Sequence, residues 1–389
     1  MNTTEQLYRT LQAHLDVMPV AFPKSKSGIE IDILKRFYTE EEAGIALSLS
    51  MLPEPARKIH RRLSRTGFSL PLYRVQELLE NLAEKKVVNS ALVKKRGRPV
   101  RVYGKLPFAV GLYEFQVDRL TRGFEQEAEN YMDSTFMHEF LHEQPRQMRT
   151  IPINEQILPD RAVSRYDSIR RVIELSPGPF ALQNCICRQG RELLGQQCRQ
   201  TDLKQTCLAL GSAATEVIKE QRGPQLTKQE TLNYLQQAEA EGLVLQAQNT
   251  RHPVFICCCC SCCCAILSRA KKLPNPGEFL QSNYSAHIDQ AACIGCGLCL
   301  PRCPMDALSI KRSSDKSTKG KAVVKTERCI GCGLCVAVCP SKAITLRAHK
   351  KNHNPPGSAM EMYIRMLYGR FGFLRATGLL IKAGLGLRV

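Results

Sequence analysis

The run CIGCGLCLPRCP at 293–304 returns as CIGCGLCVAVCP at 329–340. Both copies have the spacing C-x2-C-x2-C-x3-C-P. Three thiolates so close together can grip one compact inorganic core from a single loop, while the fourth falls on the segment that leaves it. Gly295, Gly297, Gly331 and Gly333 let backbone N–H groups come near the sulfurs. Pro304 and Pro340 turn the chain after the last cysteine. Ala286-His287-Ile288 and Ala322-Val323-Val324 precede the two runs; Ala307-Leu308-Ser309-Ile310 and Ala343-Ile344-Thr345-Leu346 follow them. A duplicated unit of strand, loop, helix and strand accounts for this. Structural zinc takes four ligands from two C-x2-C knuckles, and its chemistry calls for neither a third cysteine nor C-P in duplicate.

These residues resemble the dicluster ferredoxins of bacteria. The resemblance implies two 4Fe–4S clusters that relay single electrons, each completed by the fourth cysteine of the other run. One cluster then takes Cys293, Cys296, Cys299 and Cys339, and the other takes Cys329, Cys332, Cys335 and Cys303. Between the repeats lies KRSSDKSTKGKAVVKT, longer and more basic than a minimal ferredoxin needs. Lys311, Arg312, Lys316, Lys319, Lys321 and Lys325 there form either a solvated loop or a docking patch for an acidic redox partner.

Upstream, Cys185, Cys187, Cys198 and Cys207 precede the block ICCCCSCCC, which holds Cys257, Cys258, Cys259, Cys260, Cys262, Cys263 and Cys264. Packing alone does not require so many thiols in one segment. A further iron–sulfur cluster or a zinc ion is expected, ligated by a subset of these residues. Neighbouring cysteines on an extended backbone point to opposite sides, so spacing does not say which; Cys187, Cys198 and Cys207 with one residue of 257–264 is the set we expect. CICR with its following cysteines, the ICCCC-type block and the two repeats together resemble bacterial multidomain proteins described as 4Fe–4S dicluster ferredoxins. That resemblance adds architecture and little mechanism.

The front of the chain reads as helices followed by a hairpin. Residues 1–35 are an irregular or helical entry. Thr39 and Glu42 make a capping box for a helix carrying Ile45, Leu47, Leu49 and Leu52. A basic helix runs from Pro55 towards Gly67. Val75, Leu78, Leu79 and Leu82 then mark a third helix over 72–86. Short strands at 87–88 and 100–103 flank the turn KKRGRP. This order is that of a winged-helix domain, with Lys94, Lys95, Arg96, Arg98 and Arg101 on the wing. RGRP is also the core of a minor-groove AT-hook, yet Glu77, Glu80 and Glu84 on the third helix would repel phosphate. The pattern is helical over 114–142, and Asp160 is expected to cap a helix reaching Glu174. Thr227 with Glu230 forms a second capping box. LPNPGEF at 273–279 reads as a linker.

The formal charge of +19 over 389 residues suits an acidic redox protein, nucleic acid or an anionic membrane surface. The tail from Met360 mixes arginines with Met362, Ile364, Leu367, Phe371, Phe373, Leu374 and Leu379, as an amphipathic helix through Arg375 would; Gly378, Gly384 and Gly386 weaken it further on. It suits peripheral membrane contact, a partner's groove or the protein's own surface. No signal-peptide pattern or spanning stretch is present, and the cysteine usage is of metal-ligand type, so a cytoplasmic location is expected. No radical-SAM triad, Walker loop or G-x-G-x-x-G turn is found; Leu267 stands where such a triad would place its third cysteine after Cys260 and Cys264.

The expected fold is therefore α+β and multidomain. It has a winged-helix-like domain (1–110), a helical connector (111–182), a Cys-rich metal domain (183–272), a linker (273–285), a dicluster ferredoxin domain (286–348) and a basic amphipathic tail (349–389). The expected function is electron transfer, as a carrier or a relay subunit of an oxidoreductase rather than a stand-alone enzyme. Two other readings stay open: a redox-responsive DNA-binding regulator, and a reductase with its active site in the Cys-rich region.

Overall fold

The computed structural model describes residues 3–65, 70–95, 97–153, 167–311, 320–350 and 353–387. The expected helix stop at Gly67, the cap at Asp160 and the basic residues Arg96, Arg312, Lys316 and Lys319 lie outside them. Helices and strands mix throughout, as α+β implies. The chain divides into two units, one of 1–145 with 363–389 and one of 146–362.

The first unit opens with α1 (Thr3–Asp16), α2 (Ile29–Phe37) and α3 (Glu40–Ala46). Thr39 caps α3 in the expected reciprocal manner: the Glu42 N–H donates to the Thr39 hydroxyl, and the Thr39 N–H donates to the Glu42 carboxylate. The helix is shorter than expected. It stops at Ala46, and Leu49 is buried beyond it. Next come β1 (Glu54–Pro55), α4 (Ala56–Ser64) and α5 (Leu72–Glu84), which buries Val75, Leu78, Leu79 and Leu82 along one stripe.

The hairpin strands are longer than the sequence suggests. β2 is Asn89–Lys95 and β3 is Arg98–Gly104, in a three-stranded sheet ordered β1-β3-β2. Val87 and Val88 are buried ahead of the strand rather than in it. Lys95 pairs with Arg98, leaving a two-residue turn in which Gly97 takes φ +78°, the left-handed backbone that such turns demand. Most of KKRGRP is thus strand. α6 (Arg122–Tyr131) and α7 (Met137–His142) follow.

The second unit departs most from expectation. The middle of the chain is not a helical connector plus a Cys-rich segment but a six-stranded antiparallel sheet with helices against it. Its elements are β4 (Met148–Ile151), α8 (Ile169–Leu175), β5 (Phe180–Gln183), α9 (Ile186–Leu193), β6 (Cys207–Leu210), α10 (Ser212–Lys219), β7 (Gln225–Leu226), α11 (Lys228–Ala240), β8 (Val244–Gln248), β9 (Phe255–Cys259) and α12 (Ala265–Ala270). The strand order is β4-β8-β9-β6-β5-β7. Strands 148–151 and 180–183 therefore belong with the cysteine-bearing strands. These strands are four residues each and buried at nearly every position on both faces, so they lack the alternation that identifies strands in a sequence. Ser168 caps α8, and Thr227 with Glu230 caps α11 as expected.

Pleating sorts this sheet's side chains. Phe180, Leu182, Leu208, Leu210 and Ile256 pack with Val172, Ile173, Tyr234 and Leu235 of α8 and α11. Ala181 and Ala209 face the other way, against Ala214 and Val217 of α10.

The repeats follow. α13 (Pro276–Phe279) precedes β10 (Tyr284–Ile288), β11 (Leu308–Lys311), β12 (Lys321–Val324), α14 (Leu334–Ala337) and β13 (Ile344–Ala348). β10 pairs with β13, and β11 with β12, all antiparallel. A helix forms only in the second copy, and there inside the run, as α14 around Cys335, rather than after its fourth cysteine. Residues 273–285 do not behave as a free linker. A Cβ on Gly277 would meet the carbonyl oxygens of Cys329 and Glu327 at 2.8 Å, and the Arg328 guanidinium donates to the carbonyls of Lys271, Leu273, Pro274 and Met305.

α15 (Ala359–Gly384) bends at Gly372 (φ +71°) and continues past Arg375, where the expected amphipathic helix would have weakened. In the first unit Arg370 holds it to Asp16 and to the Met18 carbonyl. Phe373, Leu374, Ile381 and Leu385 remain exposed. Among the described residues no helix is long and apolar enough to cross a membrane.

Candidate metal centres

The two cysteine runs fold into loops whose thiols line two separate cavities. Cys293, Cys296, Cys299 and Cys339 line one, with Ala322 and Ile344 from the paired strands. Cys303, Cys329, Cys332 and Cys335 line the other, with Ala286, Leu308 and Val324. Each cavity thus receives three thiols from one run and the last thiol of the other.

Two glycines in the second run have no substitute. At Gly331 (φ +63°) a Cβ would fall 2.2 Å from the Tyr284 carbonyl oxygen, and at Gly333 (φ +83°) one would fall 2.6 Å from that of Ile153. Backbone N–H groups from segments flanking the runs reach the sulfurs: Ala286 to Cys329 at 3.3 Å, Ala307 to Cys303 at 3.2 Å and Ala322 to Cys293 at 3.4 Å. Burial raises the pKa values of Cys299, Cys303, Cys332 and Cys335 above that of an ordinary thiol. Thiolates in such dry cavities need a cationic core to hold them ionised, and the donor set suits one.

The central cysteines divide into two groups and one outlier. In the compact group the sulfurs of Cys198, Cys260, Cys262 and Cys263 all lie within 4.8 Å of one another. Cys198 is 3.7 Å from Cys260 and from Cys262; Cys262 is 3.4 Å from Cys260 and 3.7 Å from Cys263. A tetrahedron with metal–sulfur bonds of about 2.3 Å has edges of about 3.8 Å, so this group fits a single tetrahedral ion. Hydrogen bonds with Cys260 and Cys263 lower the pKa of Cys262 well below the usual thiol range, while Cys260 is pushed up to about 12, first by Cys262.

Arg188 lies beside this group. Its Nη1 donates to Cys198 Sγ at 2.7 Å and its Nε to Thr206 Oγ1 at 3.1 Å. It is 5 % exposed. Burial opposes its charge, but Cys260, Cys185, Cys198 and Cys263 outweigh that and raise its pKa. Its Nη2 is buried with no hydrogen-bond partner among the described residues.

The second group is a line of six. Along it neighbouring thiols shift one another's pKa: Cys185 with Cys187, Cys187 with Cys264, Cys264 with Cys259, Cys259 with Cys257, and Cys257 with Cys207. Pleating and register explain it. Cys207 and Cys257 are directly paired across β6 and β9, so they share a face with Cys259 two residues on. Cys185 and Cys264 are the N-cap residues of α9 and α12. Neither side chain makes a cap hydrogen bond; both thiols are held below the usual range, first by Cys187. Cys257 is lowered to about 5 by Cys207 and Cys259.

Cys258 points the other way. It hydrogen-bonds with Tyr234, and burial raises it to about 12. The structure gathers Cys198 with Cys260, Cys262 and Cys263, whereas Cys187 and Cys207 of the expected set lie outside this group and Cys258 stands apart in the core. Sequence reasoning left out Cys185 as a ligand and missed Arg188 altogether. The CICR stretch that carries both was the available signal.

No curated protein matches the chain. Residues 292–343 match the family model of the 4Fe-4S dicluster domain, so this part of the chain is an iron–sulfur domain of that kind.

Proposed function

We propose that the protein transfers electrons through two 4Fe–4S clusters, one held by Cys293, Cys296, Cys299 and Cys339 and the other by Cys329, Cys332, Cys335 and Cys303. The observation that carries this reading is the pair of cavities, each lined by three thiols of one run and the last of the other. Such clusters, when bound, accept and release single electrons. The protein's part is to fix and tune them. The amides of Ala286, Ala307 and Ala322 stabilise the extra negative charge of the reduced state. Burial of Cys299, Cys332 and Cys335 keeps water from the sulfurs.

The compact group of Cys198, Cys260, Cys262 and Cys263 is a third centre, shaped for one tetrahedral zinc or iron ion. Cys332, Met305, Ile330 and Leu334 pack in one core with Cys260, Cys263 and Cys264. Were the quartet to hold iron, this shared core would favour electron exchange between the central domain and the nearer cluster, with the Cys293 cluster as the outer terminal; zinc, having no redox change, would be structural. The basic surplus of +19 favours an acidic redox partner.

The first unit is winged-helix-like: α3, α4 and α5 with the β1-β3-β2 sheet supply its parts. Its cations are partly spent on its own acids. Arg74 pairs with Glu41 and Glu77, and Arg101 with Glu80. This favours a scaffold or protein-docking role over DNA binding.

The test is EPR of the reduced chain. Cys293→Ala and Cys329→Ala should each remove a different one of two low-potential signals. Unchanged spectra in both variants would contradict the proposal.

A further inference from the structure

The compact quartet uses only four of the central thiols, and the line Cys185–Cys187–Cys264–Cys259–Cys257–Cys207 is left over. We propose that these six residues form a separate polynuclear metal–thiolate centre, so that the Cys-rich domain carries two metal sites rather than one. The proposal does not depend on the quartet being loaded.

Three observations carry it. First, the six side chains come from four distant parts of the chain: the entry to α9, the start of β6, β9 and the entry to α12. Pleating delivers Cys257 and Cys259 to one face and sends Cys258 to the other, so the CCCC run is dealt out to different sites. Second, Cys207 and Cys257 face each other across β6 and β9 with Cys259 on the same face, and thiols, being weak hydrogen-bonding groups, make a poor core when gathered so. They make a good ligand set for soft metal ions. Six exceed the four that one tetrahedral ion takes, so more than one ion, with bridging sulfur, is required to engage them all. Third, the domain carries a cation suited to balance such a site. Arg188 is buried among thiols of both groups, with Cys185 of the line and Cys260, Cys198 and Cys263 of the quartet around it. Its Nη2 still lacks a partner among the described residues, which leaves a donor for a further acceptor of the kind a bridging sulfur provides.

The experiment is analysis of iron, zinc and acid-labile sulfide in the full chain, purified anaerobically, beside two double variants. Cys187→Ser with Cys264→Ser should lose more than one metal ion per chain and keep the EPR signals of the ferredoxin domain. Cys198→Ser with Cys262→Ser should lose only the single ion of the quartet. Loss of one ion or none from the first variant overturns the proposal. Should that variant lose the ferredoxin signals as well, the decision passes to crystals of the unmodified chain and anomalous diffraction at the iron and zinc edges. Adjacent metal peaks among Cys187, Cys257, Cys259 and Cys264 uphold the second centre; no peak or a single peak there overturns it.

Discussion

The Nη1 of Arg188 lies 2.7 Å from the sulfur of Cys198, with the guanidinium almost wholly buried. A charge so placed is matched to the sulfurs around it, which a bound metal ion would hold as thiolates. Arg188→Met leaves them without a counter-charge, a change that costs about 3–5 kcal/mol where one partner of a buried pair is removed. Arg188→Lys keeps the charge and loses the fork that spans Cys198 and Thr206, so it should fall between. Thermal melting and the rate of metal loss to a chelator check both variants.

The crossing of the last cysteines makes a paired prediction. Cys339→Ala should erase the same EPR signal as Cys293→Ala, and Cys303→Ala the same one as Cys329→Ala. Were each fourth cysteine to serve its own run, the pairing would be the reverse.

Gly331→Ala should cost the protein its Cys329-side cluster, since the new methyl would strike the Tyr284 carbonyl at 2.2 Å. Gly297→Ala has no neighbour within 4 Å and meets only the left-handed backbone, a strain of about 1–2 kcal/mol. Iron content of the two variants separates collision from strain.

These features differ in how far the sequence discloses them. The repeats could be read because one short loop supplies three ligands in a fixed spacing, and both capping boxes because Thr39 with Glu42 and Thr227 with Glu230 act within one turn. The six-stranded sheet was hidden, since Phe180 to Gln183 and Cys207 to Leu210 are too short and too uniformly apolar to show a period. The partition of the central cysteines depends on the pairing of Cys207 with Cys257 across strands, a long-range fact with no local trace. Arg188 stands in the CICR stretch, but its partners Cys198 and Thr206 reach it only through the fold.

The N–H and hydroxyl of Thr227 hold the Glu230 carboxyl below the usual carboxylate range. A group whose folded pKa is depressed adds stability above its unfolded value, and that contribution vanishes as pH falls through the folded one. The protection factors of the amides in the first turn of α11, corrected for the intrinsic slowing of exchange in acid, should therefore fall on acidification, and Glu230→Gln should flatten that dependence. Thr227→Ala should weaken the helix by about 1 kcal/mol at neutral pH.

The central claim is tested most directly by acid-labile sulfide in the full chain, purified without oxygen. Two cubane clusters in the C-terminal repeats predict a brown protein with at least about eight sulfides per chain. Colourless protein that carries zinc and releases no sulfide would contradict the account.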